Sequence, residues 1–285
     1  MTQRIDAHHH FWHYSKADYG WISDEMRELR RDFLAGDLQR EMAGAGVDGA
    51  VTVQARQTLE ETRWLLQLAE KHSFLRGVVG WAPLASVDFP RHLEELAAHG
   101  KLKGLRHVIQ DEPDDDFMLG EDFNRGISAL AGTGLVYDIL IFERHLSAAA
   151  RFVDRYPNQI FVLDHLAKPL IRQREISPWR ERLRDLAARP HVYCKVSGLA
   201  TEASWHRWTI DDLRPYFEIA LECFGPERLL AGSDWPVCLL ATGYGRWWET
   251  LGERVSTLTA SEQARILGEN AVMAYNLEDG SSPGL

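Results

Sequence analysis

The residue types that could carry out chemistry first occur together near the amino terminus. The segment Asp6-Ala7-His8-His9-His10 ends the first predicted strand. Residues two apart on a strand face the same side, so His8 and His10 are expected to point together. Two imidazoles at this spacing can share one divalent ion. The alternative is a cluster of polar residues at a strand end that holds no metal.

Two later segments carry ionisable residues at predicted strand ends. His165 follows the apolar run IFVLD, and Asp234 lies in Gly-Ser-Asp-Trp-Pro at the end of the last predicted strand. A carboxylate in that position could bind a metal, orient a water molecule and accept its proton. The alternatives are an aspartate that caps a helix or forms a turn and a histidine that is only part of the core.

These residues can act together only if the fold brings the strand ends to one place. Short β-branched runs alternate with amphipathic stretches, and eight such units in 285 residues predict an α/β fold, a (β/α)8 barrel in one domain, 1–285. The carboxyl ends of all strands then meet at one face. The alternative, a doubly wound sheet, is disfavoured because no glycine fingerprint follows the first strand. The predicted strands are 4–9, 48–55, 75–84, 102–109, 135–142, 159–167, 192–199 and 228–237.

The segments between these strands predict helices and two long loops. Apolar residues recur there at three- and four-residue spacing, which is typical of amphipathic helices. The predicted helices are 59–74, 89–100, 121–131, 145–156, 178–189, 209–224 and 258–277. The loops are 11–36, which is rich in aromatic residues, and 110–120, which is acidic. The first loop leaves its strand at the carboxyl end, where the ligands of a barrel bind.

Composition and charge restrict the classes of function. Lys and Arg number 32 and Asp and Glu 42, which gives a net charge of −10 at pH 7. An acidic chain is a poor partner for nucleic acid, whose phosphates need a basic surface. No apolar run reaches the roughly 18 residues of a membrane helix. Three cysteines without metal spacing, and an amino terminus without a secretory signal, predict a cytoplasmic protein.

Four segments together carry a resemblance to a known family. They are IDAHHHFW (5–12), LDHLAKP (163–169), KVSGL (195–199) and GSDWP (232–236). This set resembles the amidohydrolase superfamily, and more narrowly its lactonases that open sugar lactones, the L-fuconolactonase and L-rhamnonolactonase group. The resemblance runs from residue 4 to about residue 275, which is nearly the whole chain.

The resemblance implies a distorted barrel with one reaction centre at the strand ends. It implies the metal ligands His8, His10, His165 and Asp234. Three nitrogens and one oxygen suit zinc and are too poor in oxygen for calcium. A second later histidine is missing, because Ser197 stands on that strand. We therefore predict one divalent ion, Zn²⁺ before others, or none.

The residues also suit the opening of a lactone, which needs an activated water, a polarised carbonyl and groups that hold hydroxyls. Asp234 is predicted to be the base and His165 the second catalytic residue. A metal or a protonated histidine would polarise the carbonyl. Because Arg106 and His107 alternate faces, only one of them can point into the barrel. The predicted substrate contacts are Gln54, Arg106, His107, Lys168 and Trp235.

Several alternatives stay open at this stage. Surface or inter-loop salt bridges would equally explain Arg106 and Lys168. Metal-dependent decarboxylases of aromatic acids share the barrel, the His-x-His pair and the last-strand aspartate of this superfamily. A barrel that binds sugar acids without catalysis would use the same residues only as hydrogen-bonding groups. A small sugar lactone is the predicted partner, and a homo-oligomer is one option for the assembly.

Overall fold

Eight parallel strands form the centre of the computed structural model, which describes residues 3–278. Each strand pairs with the next one along the chain, in the order β1 to β8. The predicted (β/α)8 barrel is thus confirmed, although most strands are shorter than predicted. The strands are β1 Ile5–His9, β2 Gly49–Val53, β3 Leu75–Gly80, β4 Leu102–Val108, β5 Val136–Leu140, β6 Phe161–Leu163, β7 Val192–Val196 and β8 Leu229–Ala231.

Helices cover the outside of the strands and begin at residues that can cap them. Thr58 accepts a hydrogen bond from the backbone of Glu61, and Thr209 and Asp212 form a reciprocal capping box. The helices are α1 Ala35–Ala45, α2 Leu59–Lys71, α3 Phe89–Ala97, α4 Glu121–Leu130, α5 Leu146–Val153, α6 Trp179–Ala187, α7 Leu199–Glu202, α8 Ile210–Phe224, α9 Tyr244–Val255, α10 Ala260–Ala264 and α11 Asn270–Ala274. The predicted terminal helix 258–277 contains a π-helical turn, Arg265–Glu269, between α10 and α11. Among residues 3–278, no helix has the length and apolar character needed to cross a membrane.

The barrel closes where the chain leaves β1 and β8. The backbone nitrogen of Asp234 donates to the carbonyl of His8 at 2.8 Å, and that of His10 donates to the carbonyl of Trp235 at 2.7 Å. The buried carboxylate of Asp6 accepts hydrogen bonds from the backbone and hydroxyl of Ser233. These bonds hold the ends of the first and last strands together, and with them the residues that the sequence singled out.

Side chains fill the barrel interior in layers, as the two-residue strand period requires. On β5, Val136 belongs to an apolar cluster that includes Tyr275 of the carboxyl-terminal segment. Two residues further on, Asp138 is buried in an ion pair with Lys195 of β7. After another two residues, Leu140 lines a cavity at the carboxyl ends of the strands. Toward the carboxyl ends of the strands, the barrel interior is therefore first apolar, then charged, and finally open to the cavity.

Glu61 in α2 holds the segment that follows β2 in place through hydrogen bonds to its backbone. Its Oε2 accepts hydrogen bonds from the backbone nitrogens of Ala55 at 2.9 Å and Arg56 at 2.7 Å. Burial raises the pKa of Glu61 from 4.5 to about 7, although those hydrogen bonds oppose the shift. The native state therefore holds a proton between these pH values that the unfolded chain has released.

We expect the contribution of Glu61 to stability to fall as the pH rises from about 4.5 to 7, because ionising this buried carboxyl disfavours the native state. Glu61→Gln should remove a pH-dependent change on the order of 2–3 kcal/mol. Urea unfolding at several pH values measures it. Glu60→Gln, at the exposed neighbour in the same helical turn, is the control. An equally steep pH dependence in Glu61→Gln and the wild type would contradict the prediction.

Candidate active site

Three imidazoles converge on one carboxylate at the carboxyl end of the barrel. The Nε2 atoms of His8, His10 and His165 lie 3.8, 3.4 and 4.0 Å from Oδ1 of Asp234. The Nε2 atoms of His8 and His10 are 3.2 Å apart. All four side chains are buried or nearly so. The fold therefore brings the four predicted ligands together from the end of β1 and the residue after it, from the turn after β6 and from the turn after β8.

The other ring nitrogen of each histidine is engaged by the protein. Nδ1 of His10 donates to the carbonyl of Val53 at 2.8 Å, and Nδ1 of His165 lies 2.8 Å from the hydroxyl of Ser197. Nδ1 of His8 lies 3.3 Å from Asp164. Such partners orient an imidazole so that Nε2 faces the site, where Nε2 of His8 also lies 3.4 Å from Nη1 of Arg106.

This donor set fits one divalent ion. Ligand atoms about 2.0–2.1 Å from a tetrahedral zinc lie roughly 3.3–3.4 Å from one another. The separations between His8 and His10 and between His10 and Asp234 match this spacing. His8, His10 and Asp234 form one group whose ligand atoms all lie within 4.8 Å of one another. We conclude that His8, His10 and Asp234 are spaced to hold one metal ion.

Left-handed backbone turns aim two of these residues into the site. Four consecutive residues, His165 to Lys168, have φ between 50° and 58°, and Asp234 has φ of 58°. This region costs an L-residue about 1–2 kcal/mol, so the surrounding fold must impose it. The turns reverse the chain directly after β6 and β8. His165, Lys168 and Asp234 consequently line the cavity rather than the helix layer.

A layer of buried charges lies beneath the site. Asp164 pairs with Nη1 of Arg106 at 2.9 Å and with Nζ of Lys195 at 3.0 Å. Lys195 also pairs with Asp138 at 2.5 Å and lies 3.2 Å from Nδ1 of His8. Two cations and two carboxylates balance the charge, which a buried ionic network requires. This layer orients His8 and Arg106 from below.

The environment sets the charge of the central residues. Burial lowers the pKa of His8 well below 6.5 and that of His165 to about 4, so both rings are neutral near pH 7. Burial alone would raise the pKa of Asp234, but His165, His10 and Lys168 lower it below 3.8. Neutral imidazoles and an ionised carboxylate are the forms that bind a metal. Because His8 and His165 are neutral, neither is expected to polarise a carbonyl as a protonated imidazole.

A cavity of about 430 Å³ opens directly above the histidine cluster, which is within the usual size range of small-molecule sites. Its polar wall consists of His10, Arg106, Gln110, Asp111, His165, Lys168, Thr201, Glu202 and Asp234. Its apolar wall includes Trp21, Met26, Val108, Leu140, Phe142, Trp205, Val237 and Leu240. The cavity therefore combines an apolar side with several polar groups, as a site for a polyhydroxylated ring would.

Three of the predicted substrate contacts lie elsewhere. His107 faces the helix layer, where its Nε2 lies 2.6 Å from Glu112, because strand parity turns Arg106 inward instead. Gln54 lies behind Arg106, which donates to the Gln54 carbonyl at 2.5 Å. Trp235 is buried against Phe33. Of the five predicted contacts, Arg106 and Lys168 line the cavity.

Some residues of the site were missed by sequence reasoning. Asp138 and Lys195 lie in the middle of apolar strands, VYDIL and VYCKV. A charge at the centre of a buried strand needs a partner, and this signal could have revealed the network. Gln110 and Glu202 carry no such local signal, because neither lies on a strand.

A comparison with known proteins identifies the family. The amidohydrolase family model matches residues 5–277. The chain belongs to the amidohydrolase family. It is also 41% identical over 293 residues to L-fucono-1,5-lactonase of Burkholderia multivorans, covering 97% of each chain.

Solved amidohydrolase structures show the same barrel. A crystal structure of an amidohydrolase from Burkholderia multivorans with bound zinc has a TM-score of 0.93 and 39% identity, covering 97% of this chain and 100% of that one. The 5-carboxyvanillate decarboxylase of Sphingomonas paucimobilis has a TM-score of 0.66 and 15% identity, covering 98% of this chain and 100% of that one. The decarboxylase therefore resembles this chain only in its fold.

Proposed function

We propose that this amidohydrolase opens sugar lactones by hydrolysis, with L-fucono-1,5-lactone as the first candidate substrate. The observation that carries the proposal is the convergence of three imidazoles on the Asp234 carboxylate beneath a cavity of about 430 Å³. The identity of 41% to an L-fucono-1,5-lactonase supports the substrate class. No contact in the described site favours decarboxylation or binding without catalysis over this reaction.

In this proposal Asp234 is the general base. Its carboxylate is ionised near pH 7 and lines the cavity, so it can accept a proton from a water molecule that attacks the lactone carbonyl. His165, whose Nε2 lies 4.0 Å from Asp234, is beyond hydrogen-bond distance of the carboxylate and would act on the water instead. Lys168 lines the cavity and supplies positive charge to the carbonyl oxygen as it becomes anionic, whereas Arg106 is held by Asp164 and the Gln54 carbonyl. Transfer of the proton to the ring oxygen completes the opening to a hydroxy acid.

We further propose that His8, His10, His165 and Asp234 hold one Zn²⁺. When bound, the ion would supply Lewis acidity at the carbonyl and make a nearby water more acidic. The neutral imidazoles and their fixed Nδ1 partners prepare these residues for that ion. In the part of the chain that the structure describes, a second group of possible ligands, His8, Asp164 and His165, shares His8 with the first group and is therefore not an independent site.

A panel of lactones tests the function. Purified protein should release acid, detected with a pH indicator, from five- or six-membered aldonolactones, most rapidly from six-carbon deoxy sugars such as L-fucono- and L-rhamnonolactone. If the protein opens no lactone but releases carbon dioxide from an aromatic acid, the result would support a decarboxylase instead of a lactonase.

Metal binding gives a separate test. Elemental analysis should find at most one zinc per chain, and His10→Asn should weaken zinc binding by about tenfold or more. His13→Asn, at an exposed histidine of the same segment, is the control. Chelation should abolish activity and added zinc should restore it. Full activity in protein shown to be metal-free would overturn the proposed metal site and leave Asp234 and Lys168 as the groups that act on the lactone.

A further inference from the structure

A short helix brings one more carboxylate into the cavity. Gly198, between β7 and α7, has φ of +71°, and a Cβ there would lie 2.9 Å from Nδ1 of His165. Glycine therefore allows α7 to start immediately beside His165. The helix ends at Glu202, whose side chain lines the same cavity as Asp234 and Lys168.

The carboxylate of Glu202 differs from the other carboxylates near the reaction centre. Asp234 lies within 4.0 Å of three imidazoles, and Asp164 pairs with Arg106 and Lys195. Within residues 3–278, Glu202 takes part in no comparable hydrogen bond or ion pair. A carboxylate has about four acceptor positions; burial raises the pKa of Glu202, and the nearby Lys168 opposes that rise. Its oxygens are therefore available to a ligand in the cavity.

The charges of the cavity wall indicate what kind of ligand fits them. Arg106 is already occupied by Asp164 and by the Gln54 carbonyl. Lys168 makes no ion pair among the described residues, so it is free to face the reacting carbonyl and the carboxylate that hydrolysis creates. Asp111, which is exposed, adds a further negative charge to the lining of the cavity. A hydroxyl on the lactone ring can donate a hydrogen bond to these carboxylates. A carboxylate on the substrate would instead be repelled by them.

We propose that Glu202 determines substrate class by accepting hydrogen bonds from the hydroxyls of a neutral lactone and by disfavouring lactones that carry a carboxylate. This inference rests on the proposed lactonase function and adds the residue that separates aldonolactones from aldarolactones. Selection of this kind combines an attraction to one substrate with a repulsion of the other.

Steady-state kinetics of Glu202→Gln tests the inference with two probes, L-fucono-1,5-lactone and galactaro-1,4-lactone. The wild type should favour the neutral lactone in kcat/KM by about 100-fold or more. Glu202→Gln should lower kcat/KM for the neutral lactone about tenfold, mainly through KM, and raise it for the acidic lactone about tenfold. Glu143→Gln removes a neighbouring carboxylate that does not line the cavity, and it should change the ratio less than about twofold. If Glu202→Gln does not fold, Glu202→Met carries the same test of the charge.

The possible outcomes separate the two proposals. A wild type that opens no aldonolactone of the panel would overturn the proposed function, and this inference with it. A wild type that opens the neutral lactone while Glu202→Gln keeps the wild-type ratio would overturn the role of Glu202 alone. Equal wild-type activity on both probes would do the same.

Discussion

Asp234→Asn should lower turnover of the lactone by roughly two to four orders of magnitude. The substitution keeps the shape of the side chain but replaces the ionised oxygen on which the three imidazoles converge. An amide cannot accept the proton of the attacking water. The measurement is kcat on L-fucono-1,5-lactone, with thermal unfolding to show that the variant is folded.

Asp122→Asn provides the matched control for this variant. Asp122 lies on the exposed surface of α4 and pairs with Arg125 in the next turn, so turnover should stay at the wild-type level. If the folded Asp234→Asn protein turns over the lactone at nearly the wild-type rate, Asp234 is not the general base. The zinc content of the same samples separates loss of the base from loss of a ligand.

Lys195→Met should destabilise the protein by about 3–5 kcal/mol near pH 7. Asp138 and Asp164 both pair with this ammonium group, and all three side chains are fully buried. Removing the cation leaves the two carboxylates in the barrel with Arg106, His8 and Tyr275 as their remaining close polar partners. Urea unfolding measures the loss, and Lys71→Met at the exposed end of α2 should change stability by less than about 0.5 kcal/mol.

The effect of Lys195→Met should also depend on pH in a defined direction. Burial raises the pKa of Asp138 to about 6, and Lys195 opposes that rise. Without Lys195 the native state favours the protonated acid more strongly, so the variant should recover stability as the pH falls from 7 toward 5. An equal loss at both pH values would show that packing, rather than the ionic network, accounts for the effect.

The sequence by itself determined the barrel and the four residues at its centre. The strand period and the alternation of strands with helices predict the architecture, because both are local patterns that recur along the chain. His8, His10, His165 and Asp234 were predictable for a related reason. Each stands at or just past the end of a strand, and in a (β/α)8 barrel all such ends meet at one face.

Only the tertiary structure decided which side chains face one another inside that barrel. Arg106 rather than His107 points inward because the register of β4 against its neighbours sets the parity. Asp138 and Lys195 pair across 57 residues of sequence. Glu202 reaches the cavity because Gly198 lets a helix turn beside His165. A local pattern can predict an element and its exposed face, but partners from distant strands are set by register and by left-handed turns, which have no local periodicity.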